Sequence, residues 1–410
     1  MASIKSGTKR YRQINLAFFS AGFVTFITLY DVQPLLPVFS KEFGVPAALG
    51  SLPLSVTTCA LAIAMLFAGS ISETFGRKQV MVSALVLTSL LALLTSMTQT
   101  LPALLALRLL QGVALAGLPA VAMAYLSEEI APASLSSAIG LYISGNAIGG
   151  MTGRIFTGTM SQLVSWRAAL GTIGVFCLIL SLYFARSLPP STNFIRRRFA
   201  VRYLFSSPLK QLQDPGLLCL YGISFLIMGS FVTLYNYITF RLLAPPYYLS
   251  HSQVSWIFLV YLLGSFSSSM VGRQVERFGR SRMLLVTMST MVLGALVTLS
   301  QSVAVIVAGI AIFTCGFFGA HTIASSWVGS RAYTAKAQAA SLYLFCYYLG
   351  SSVSGTAGGL FWTSYGWPGV VMLILTLLGT GLCLFKRLAK LSEAGCTAGR
   401  ATSILGTLRS

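Results

Sequence analysis

Charged side chains are scarce in this sequence, and acidic ones are the scarcest. Of its 410 residues, 9% are charged, and only 8 are Asp or Glu, against 28 Lys and Arg. The 7 cysteines show no C-x-x-C pair and no Cys/His spacing, so neither a disulfide framework nor a metal site is expected. The sequence also has no Walker loop and no nucleophile–base signature. We therefore expect no enzyme activity, no ATP-driven step and no cofactor.

Apolar residues, by contrast, are abundant. They make up 55% of the chain, and the mean hydropathy is +0.80. A soluble protein of this composition could not cover its surface with polar groups. The chain is therefore predicted to lie in a lipid bilayer.

Twelve apolar runs are long enough to cross that bilayer as helices. About 18–25 apolar residues span a hydrocarbon core of ~30 Å. The first run is too long for a signal peptide and is predicted to stay as a span. The predicted spans are residues 15–38, 50–72, 79–97, 103–126, 134–158, 167–186, 216–240, 253–272, 283–300, 303–327, 337–361 and 367–385.

The basic residues follow the topology of these spans. With a cytoplasmic N-terminus, only Lys41, Arg167 and Arg241 fall outside the cell, and only Arg108 and Arg154 fall within spans. This asymmetry is the positive-inside pattern. It predicts that both termini are cytoplasmic, and it explains the net charge of +20 without nucleic-acid binding.

Two charged clusters indicate an internal repeat. "GSISETFGRK" begins at residue 69 and "GRQVERFGR" at residue 272, and each follows a span at the same place in its half. "GNAIGGMTGRIF" at 145–156 likewise matches "GSSVSGTAGGLF" at 350–361. The offsets of 203 and 205 residues predict duplication of one six-helix unit.

The predicted fold is an all-α integral membrane protein with twelve transmembrane helices in two pseudo-symmetric halves. The first six-helix bundle would cover residues 1–186, a cytoplasmic linker 187–215, and the second bundle with its cytoplasmic tail 216–410. This plan places a substrate site between the halves, near the bilayer midplane.

These motifs resemble those of the major facilitator superfamily. Residues 69–78 are similar to its loop signature G-x-x-x-D-R-x-G-R-R, with Glu73 for Asp and Thr74 for Arg. Residues 31–37 and 140–153 resemble motifs of its drug:proton antiporters, although Arg154 replaces a proline. "RLLQG", which begins at Arg108, resembles a motif associated with proton coupling, and longer strings resemble efflux permeases of the YnfM type. The resemblance implies the major facilitator fold and a bacterial inner-membrane location.

The resemblance also implies that the charged clusters form a conformational latch between the halves. Glu73 can accept hydrogen bonds from an Arg or a helix N-terminus, which makes a switchable contact. Alternatively, the basic residues only fix topology. The latch candidates are Gly69, Glu73, Gly76, Arg77, Gly272, Glu276, Arg277, Gly279 and Arg280.

Asp31 is the acidic residue that falls deep in a span, where a carboxylate costs about 3 kcal/mol. At about 1.5 Å per residue, Arg108 lies at the same depth and is its natural partner. Asp31 can carry protons if its proton affinity changes between conformations. It can also form a static ion pair or contact substrate directly.

Arg154 and His321 are each open to two interpretations. Arg154 can snorkel to the outer interface, or it can face the cavity, where its surplus charge would suit an anionic or zwitterionic substrate. His321 can join proton coupling or simply be hydrogen-bonded in the bundle. Other candidates for the substrate cavity are Gln33, Gln111, Asn146 and Asn236. Gly145, Gly149 and Gly153 recur every four residues and predict a helix-packing face.

The leading hypothesis is a secondary transporter that exports a small organic molecule in exchange for protons by alternating access. The alternative is uptake of an organic acid or sugar, either proton-coupled or passive. The expected partners are the small-molecule substrate, protons and the lipid bilayer, and we expect a monomer. A membrane sensor without transport is disfavoured because no soluble domain is appended.

Overall fold

The part of the chain that the structure describes is helical. The computed structural model describes residues 4–191, 194, 211–332 and 336–407, and within them the only β-type pairing is an isolated bridge between Ile4 and Ile130. The first half contains α1 (Lys9–Tyr30), α2 (Leu36–Glu42), α3 (Ala47–Gly50), α4 (Leu52–Phe75), α5 (Arg77–Thr95), α6 (Leu101–Leu115), α7 (Pro119–Glu129), α8 (Pro132–Leu163) and α9 (Trp166–Ser187). The second half contains α10 (Pro215–Leu243), α11 (His251–Trp256), α12 (Tyr261–Phe278), α13 (Arg280–Val297), α14 (Val303–Arg331) and α15 (Lys336–Thr407).

The twelve predicted spans are present as helical segments. Ten stretches of the described chain are long and apolar enough to cross a membrane. One of these stretches lies within α15 and contains the last two spans, which are separated by a bend at Gly366 (φ 61°, ψ −148°). The remaining span is α8, a helix of 32 residues whose glycines and serines lower its hydropathy. The predicted domain boundaries stay a prediction, because most of the linker 187–215 lies outside the described residues.

The first predicted span differs from the continuous helix expected over residues 15–38. Helix α1 ends at Tyr30, a 3₁₀ turn follows over Gln33–Leu35, and α2 then begins at Leu36. Pro34 and Pro37 cause this break, because a proline has no N–H to donate to the preceding turn. A second 3₁₀ turn, Ile257–Val260, joins α11 to α12 in the second half.

Both charged clusters contain the same tight turn. Gly76 connects α4 to α5 with φ 102°, and Gly279 connects α12 to α13 with φ 82°. Side chains with a Cβ rarely adopt these angles, so glycine is required at both places. The next residue in each case, Arg77 or Arg280, begins a helix. The internal repeat is therefore visible in the backbone.

Glycines also bring the helices of each half close together. Gly145 and Gly149 lie against the carbonyl oxygens of Phe19 and Phe23, so that α8 touches the backbone of α1. In the second half, Gly350 of α15 lies in the same way against Phe225 of α10. Such close approach is how glycine faces hold membrane helices together.

The two halves are joined at one end of the bundle. We call the end of the bundle with Lys9, Gly76 and Gly279 the basic side, and the other end, where the halves are joined, the opposite side. The hydrogen bonds that cross between the halves in the described chain include Gln33 to Asn236, Thr159 to Ser252, Ser252 to Gln162, and Ser352 to Ser55, and these lie at the opposite side or near mid-depth. The side-chain contacts described at the basic side, such as Arg77 with Glu128, stay within one half.

Candidate functional site

Asp31 and Arg108 form a buried ion pair at the break in α1. The Arg108 guanidinium lies 3.1 Å from a carboxylate oxygen of Asp31, and both side chains are only 1% exposed. Their opposite charges cancel, which lowers the cost of burying either one. The depth count from the sequence thus predicted which two side chains meet.

Arg108 also satisfies backbone groups that the broken helix leaves free. It donates to the carbonyls of Thr28 and Leu29 at 3.0 and 2.9 Å. A helix that ends at Tyr30 leaves such carbonyls without a regular donor. Arg108 further donates to Thr57 and Gln111 and, at 3.3 Å, to the Pro53 carbonyl. Gln111, predicted to line the cavity, therefore orients Arg108.

Arg154 does not extend to the outer rim. It is 3% exposed and lies between α1, α8 and the Ile257–Val260 turn. Its guanidinium carbon lies 4.0 Å from the ring centroid of Tyr30, 4.7 Å from that of Tyr261 and 5.4 Å from that of Phe258. Among the described residues, no carboxylate forms an ion pair with it. The burial of Arg154 argues against the first interpretation, an arginine that snorkels to the outer interface. The structure places Arg154 between the two halves instead.

Gln33 and Asn236 continue this contact into the second half. Arg154 donates to the Gln33 side-chain oxygen at 2.6 Å, and the Gln33 amide nitrogen donates to the Asn236 side-chain oxygen at 2.8 Å. The Asn236 side-chain nitrogen is buried and has no hydrogen-bond partner in the described chain. Gln33, Arg154 and Asn236, three of the predicted cavity residues, thus form one connected group.

His321 lies in an aromatic cluster of the second half. Its Nδ1 atom is 3.0 Å from the Tyr343 hydroxyl, and its ring stacks on Phe317, with a centroid distance of 6.1 Å. The ring of Tyr347 lies 4.8 Å away. None of these contacts involves Asp31 or Arg108, and a part for His321 in proton coupling stays a prediction.

The remaining candidates have packing environments. Asn146 projects toward Gly22 of α1, away from the group around Arg154. Gly145, Gly149 and Gly153 form the predicted face, and each lies against the backbone of α1.

The latch candidates make no contact between the halves in the described chain. Arg77 binds Glu128 at 2.8 Å and lies 3.7 Å from Glu73, while Arg280 donates to Ser330. Glu276 is exposed on the same side. The latch between the halves therefore stays a prediction. Gly69, Gly76, Gly272, Arg277 and Gly279 flank these contacts on the basic side.

Sequence reasoning missed the aromatic residues around Arg154. Tyr30 precedes Asp31 directly, and Phe258 and Tyr261 belong to another half of the chain. Aromatic residues are common in every span here, so no sequence signal distinguished these three. The nearby Pro34 and Pro37 did signal a break in α1, and that break brings Tyr30 and Gln33 to the interface.

The chain is similar to known membrane transporters over nearly its whole length. A family model for the Major Facilitator Superfamily matches residues 15–247 and 220–401. The chain is 51% identical over 390 residues to an uncharacterized MFS-type transporter, YybF, of Bacillus subtilis, covering 95% of this chain and 96% of that one. It is 47% identical to the inner membrane transport protein YnfM of Escherichia coli, covering 94% and 93% of the two chains.

Solved structures support the same fold. The structure of a bacterial homolog to the human lysosomal transporter Spinster, in an inward-facing and unoccupied conformation, aligns with a TM-score of 0.74. The two chains are 14% identical, and the alignment covers 94% of this chain and 98% of that one. The nucleoside transporter NupG aligns with a TM-score of 0.75 at 13% identity, covering 92% and 99% of the two chains. With its helices, its repeat and these relatives, the chain belongs to the Major Facilitator Superfamily and is a multi-pass secondary transporter.

Proposed function

We propose that the protein exports a small organic molecule in exchange for protons, with Asp31 as the proton carrier. The observation that carries this proposal is the buried pair of Asp31 and Arg108 at the break in α1. A carboxylate is the kind of group that can take up and release a proton within a membrane. Arg108 lowers the cost of keeping this carboxylate charged.

The pair can open without leaving Arg108 unsatisfied. Arg108 keeps five other acceptors when Asp31 is protonated, including the carbonyls of Thr28 and Leu29. Protonation therefore changes the charge at Asp31 and leaves the Arg108 guanidinium in place. This favours a proton carrier over a static ion pair.

The same break connects the pair to the interface. Gln33 lies two residues beyond Asp31 and bonds Asn236 of the other half. A shift at Asp31 therefore reaches a contact that must open when the halves rock apart. By the positive-inside pattern, the basic side is cytoplasmic, with both termini there, and the joined side faces outward. A monomer in the inner membrane suffices for this cycle.

Uptake of an organic acid together with a proton is the second candidate. Arg154 suits an organic acid as the substrate, because it is a buried cation that pairs with no carboxylate of the described chain. Both candidates use Asp31, and they differ in the direction in which the proton moves relative to the substrate. A measurement of lumenal pH therefore separates them.

Purified protein in liposomes with a pH-sensitive dye inside, and no imposed gradient, tests the proposal. Cationic, neutral and anionic compounds are added outside in turn. Exchange makes the lumen more alkaline, whereas proton-coupled uptake makes it more acidic. We expect alkalinisation with a transported compound and its loss in Asp31→Asn.

Glu42→Gln is the matched control, because Glu42 pairs with Arg167 in a half-exposed position. It should respond like the native chain. An undiminished response in Asp31→Asn would remove Asp31 as the carrier. Acidification would favour the second candidate, and substrate entry without any pH change would show passive transport.

A further inference from the structure

Arg154 is a buried cation whose charge the described protein does not neutralise. The ion pairs of the described chain join Arg77, Arg108, Arg167 and Arg331 to carboxylates, and none of them includes Arg154. Burying an isolated charge is costly, and proteins normally provide a partner for it. Aromatic faces offset part of this cost through cation–π contacts. They leave the net charge at +1.

The hydrogen-bond donors of Arg154 are also incompletely used. An arginine carries five N–H donors. In the described structure Arg154 donates to Gln33 at 2.6 Å and to the Gly150 carbonyl at 2.7 Å. Arg108, at a similar depth in the same half, donates to six acceptors. The Tyr261 hydroxyl also contacts the guanidinium, and the remaining N–H groups of Arg154 have no acceptor in the described structure.

Further donors and apolar faces surround the guanidinium. The Asn236 side-chain nitrogen is fully buried and unpartnered within the described residues. The Tyr261 hydroxyl oxygen is also buried, and it contacts the Arg154 guanidinium. Tyr261 in turn packs against Phe231 and Phe318, at centroid distances of 5.5 and 6.0 Å. The site thus combines a cation and neutral donors with an aromatic wall.

We infer that Arg154 binds the anionic group of the transported molecule and that the site takes small aromatic monoanions. The planar fork of an arginine matches a carboxylate. Asn236 and Tyr261 can supply further donors to it, and the aromatic wall accepts the ring. This inference rests on the proposed transport function and adds the substrate's charge class to it.

A structural role is the competing explanation. The connection from Arg154 through Gln33 to Asn236 could serve only to hold the halves together at the opposite side. A role of that kind would respond to changes in conformation and would not distinguish an anion from its neutral analogue. Binding of matched compounds therefore tests the inference directly.

The experiment measures the thermal unfolding of the purified full chain in detergent, which requires neither transport nor a proton gradient. A ligand that binds the native state raises the unfolding midpoint with its concentration. The probes are sodium benzoate, sodium benzenesulfonate, benzamide and benzylammonium chloride, with sodium chloride at matched ionic strength. We expect one or both aromatic anions to raise the midpoint, and benzamide, benzylammonium and sodium chloride to leave it unchanged.

Three variants locate the effect. Arg154→Gln should weaken the apparent affinity for the aromatic anion by about tenfold or more, as expected for loss of a charged hydrogen bond. Arg154→Lys should keep part of the affinity. Arg167→Gln removes a half-exposed positive charge elsewhere in the same half and should bind like the native chain.

Two results would overturn the inference: the absence of any anion-specific shift in the native chain, or an equal shift in Arg154→Gln. If Arg154→Gln does not fold, Tyr261→Phe tests the same site, because it removes a buried hydroxyl and keeps the ring. An undiminished affinity in Tyr261→Phe would then count against the inference. Anion binding is measured here without a proton gradient and proton coupling is measured through lumenal pH, so failure of one and failure of the other are distinguishable.

Discussion

The helix pair α1 and α8 of the first half and the pair α10 and α15 of the second half share one packing arrangement. Gly145 lies against the carbonyl of Phe19, and Gly350 lies against the carbonyl of Phe225. The second pair follows the first at offsets of 205 and 206 residues. Both halves therefore keep the close backbone approach that the duplicated unit provides.

The chemistry at the matching positions is different. At these same offsets Arg154 corresponds to Gly359, and Asp31 corresponds to Tyr237. Tyr237 is buried and donates to the Gly355 carbonyl at 2.6 Å, which is a neutral contact. The first half thus carries the buried charges of the interface, and the second half supplies a neutral, largely aromatic wall. In the proposed function, proton coupling and charge selection therefore both belong to the first half.

The largest effect is expected from breaking the charge pair of the first half. Arg108→Gln leaves the Asp31 carboxylate buried without its cation, and the free energy of unfolding should fall by about 3–5 kcal/mol. Tyr237→Phe, at the position that matches Asp31, loses one neutral hydrogen bond and should cost about 1 kcal/mol. Thermal unfolding in detergent compares the two.

The double variant Asp31→Asn with Arg108→Gln should recover most of the stability lost in Arg108→Gln, because no unpaired charge remains. Proton-coupled transport should stay absent from it. Equal losses in Arg108→Gln and Tyr237→Phe would show that the ion pair does not distinguish the halves.

The packing glycines, in contrast, should be equally sensitive in both halves. A valine at Gly145 or Gly350 would overlap the facing backbone carbonyl, and overpacking costs about 1–3 kcal/mol. Gly140 is the control, because a Cβ there meets no atom within 4 Å. We expect Gly145→Val and Gly350→Val to lower the unfolding midpoint similarly, and Gly140→Val to change it little. A tolerated Gly350→Val would show that the shared packing has lost its importance in the second half.

Much of the fold and the ion pair could be predicted from the sequence, because both depend on local quantities. Span length follows from counts of apolar residues, and the depths of Asp31 and Arg108 follow from the rise per residue. The surroundings of Arg154 could not be predicted in this way. They depend on the rotation of α8 about its axis and on Tyr261, which is more than a hundred residues away in the chain. The sequence alone therefore leaves both interpretations of Arg154 open.

Removing the unpaired charge should have a smaller effect on stability than breaking the pair. Arg154→Gln gives up cation–π contacts and its bond to Gln33, but it also removes the cost of burying an isolated cation. These changes oppose each other, so the free energy of unfolding without ligand should change by less than about 1 kcal/mol. Thermal unfolding in chloride-only buffer measures this difference. A loss as large as that in Arg108→Gln would mean that Arg154 serves the fold as much as Arg108 does.

A further small effect, on closure of the opposite side, is expected at one of the hydrogen bonds that join the two halves. Asn236→Leu removes the acceptor for Gln33 and should weaken closure of the opposite side by about 1 kcal/mol, which changes the ratio of closed to open forms about fivefold. A single cysteine at Thr159, in a chain without other cysteines, reports opening through its rate of labelling by a membrane-impermeant maleimide. Thr239→Val is the control, because the Thr239 hydroxyl bonds only to Tyr235 of its own helix in the described structure. Faster labelling in Asn236→Leu alone would show that Asn236 of the second half helps to keep the opposite side closed against the first half. Equal labelling in both variants would place the closing contacts elsewhere.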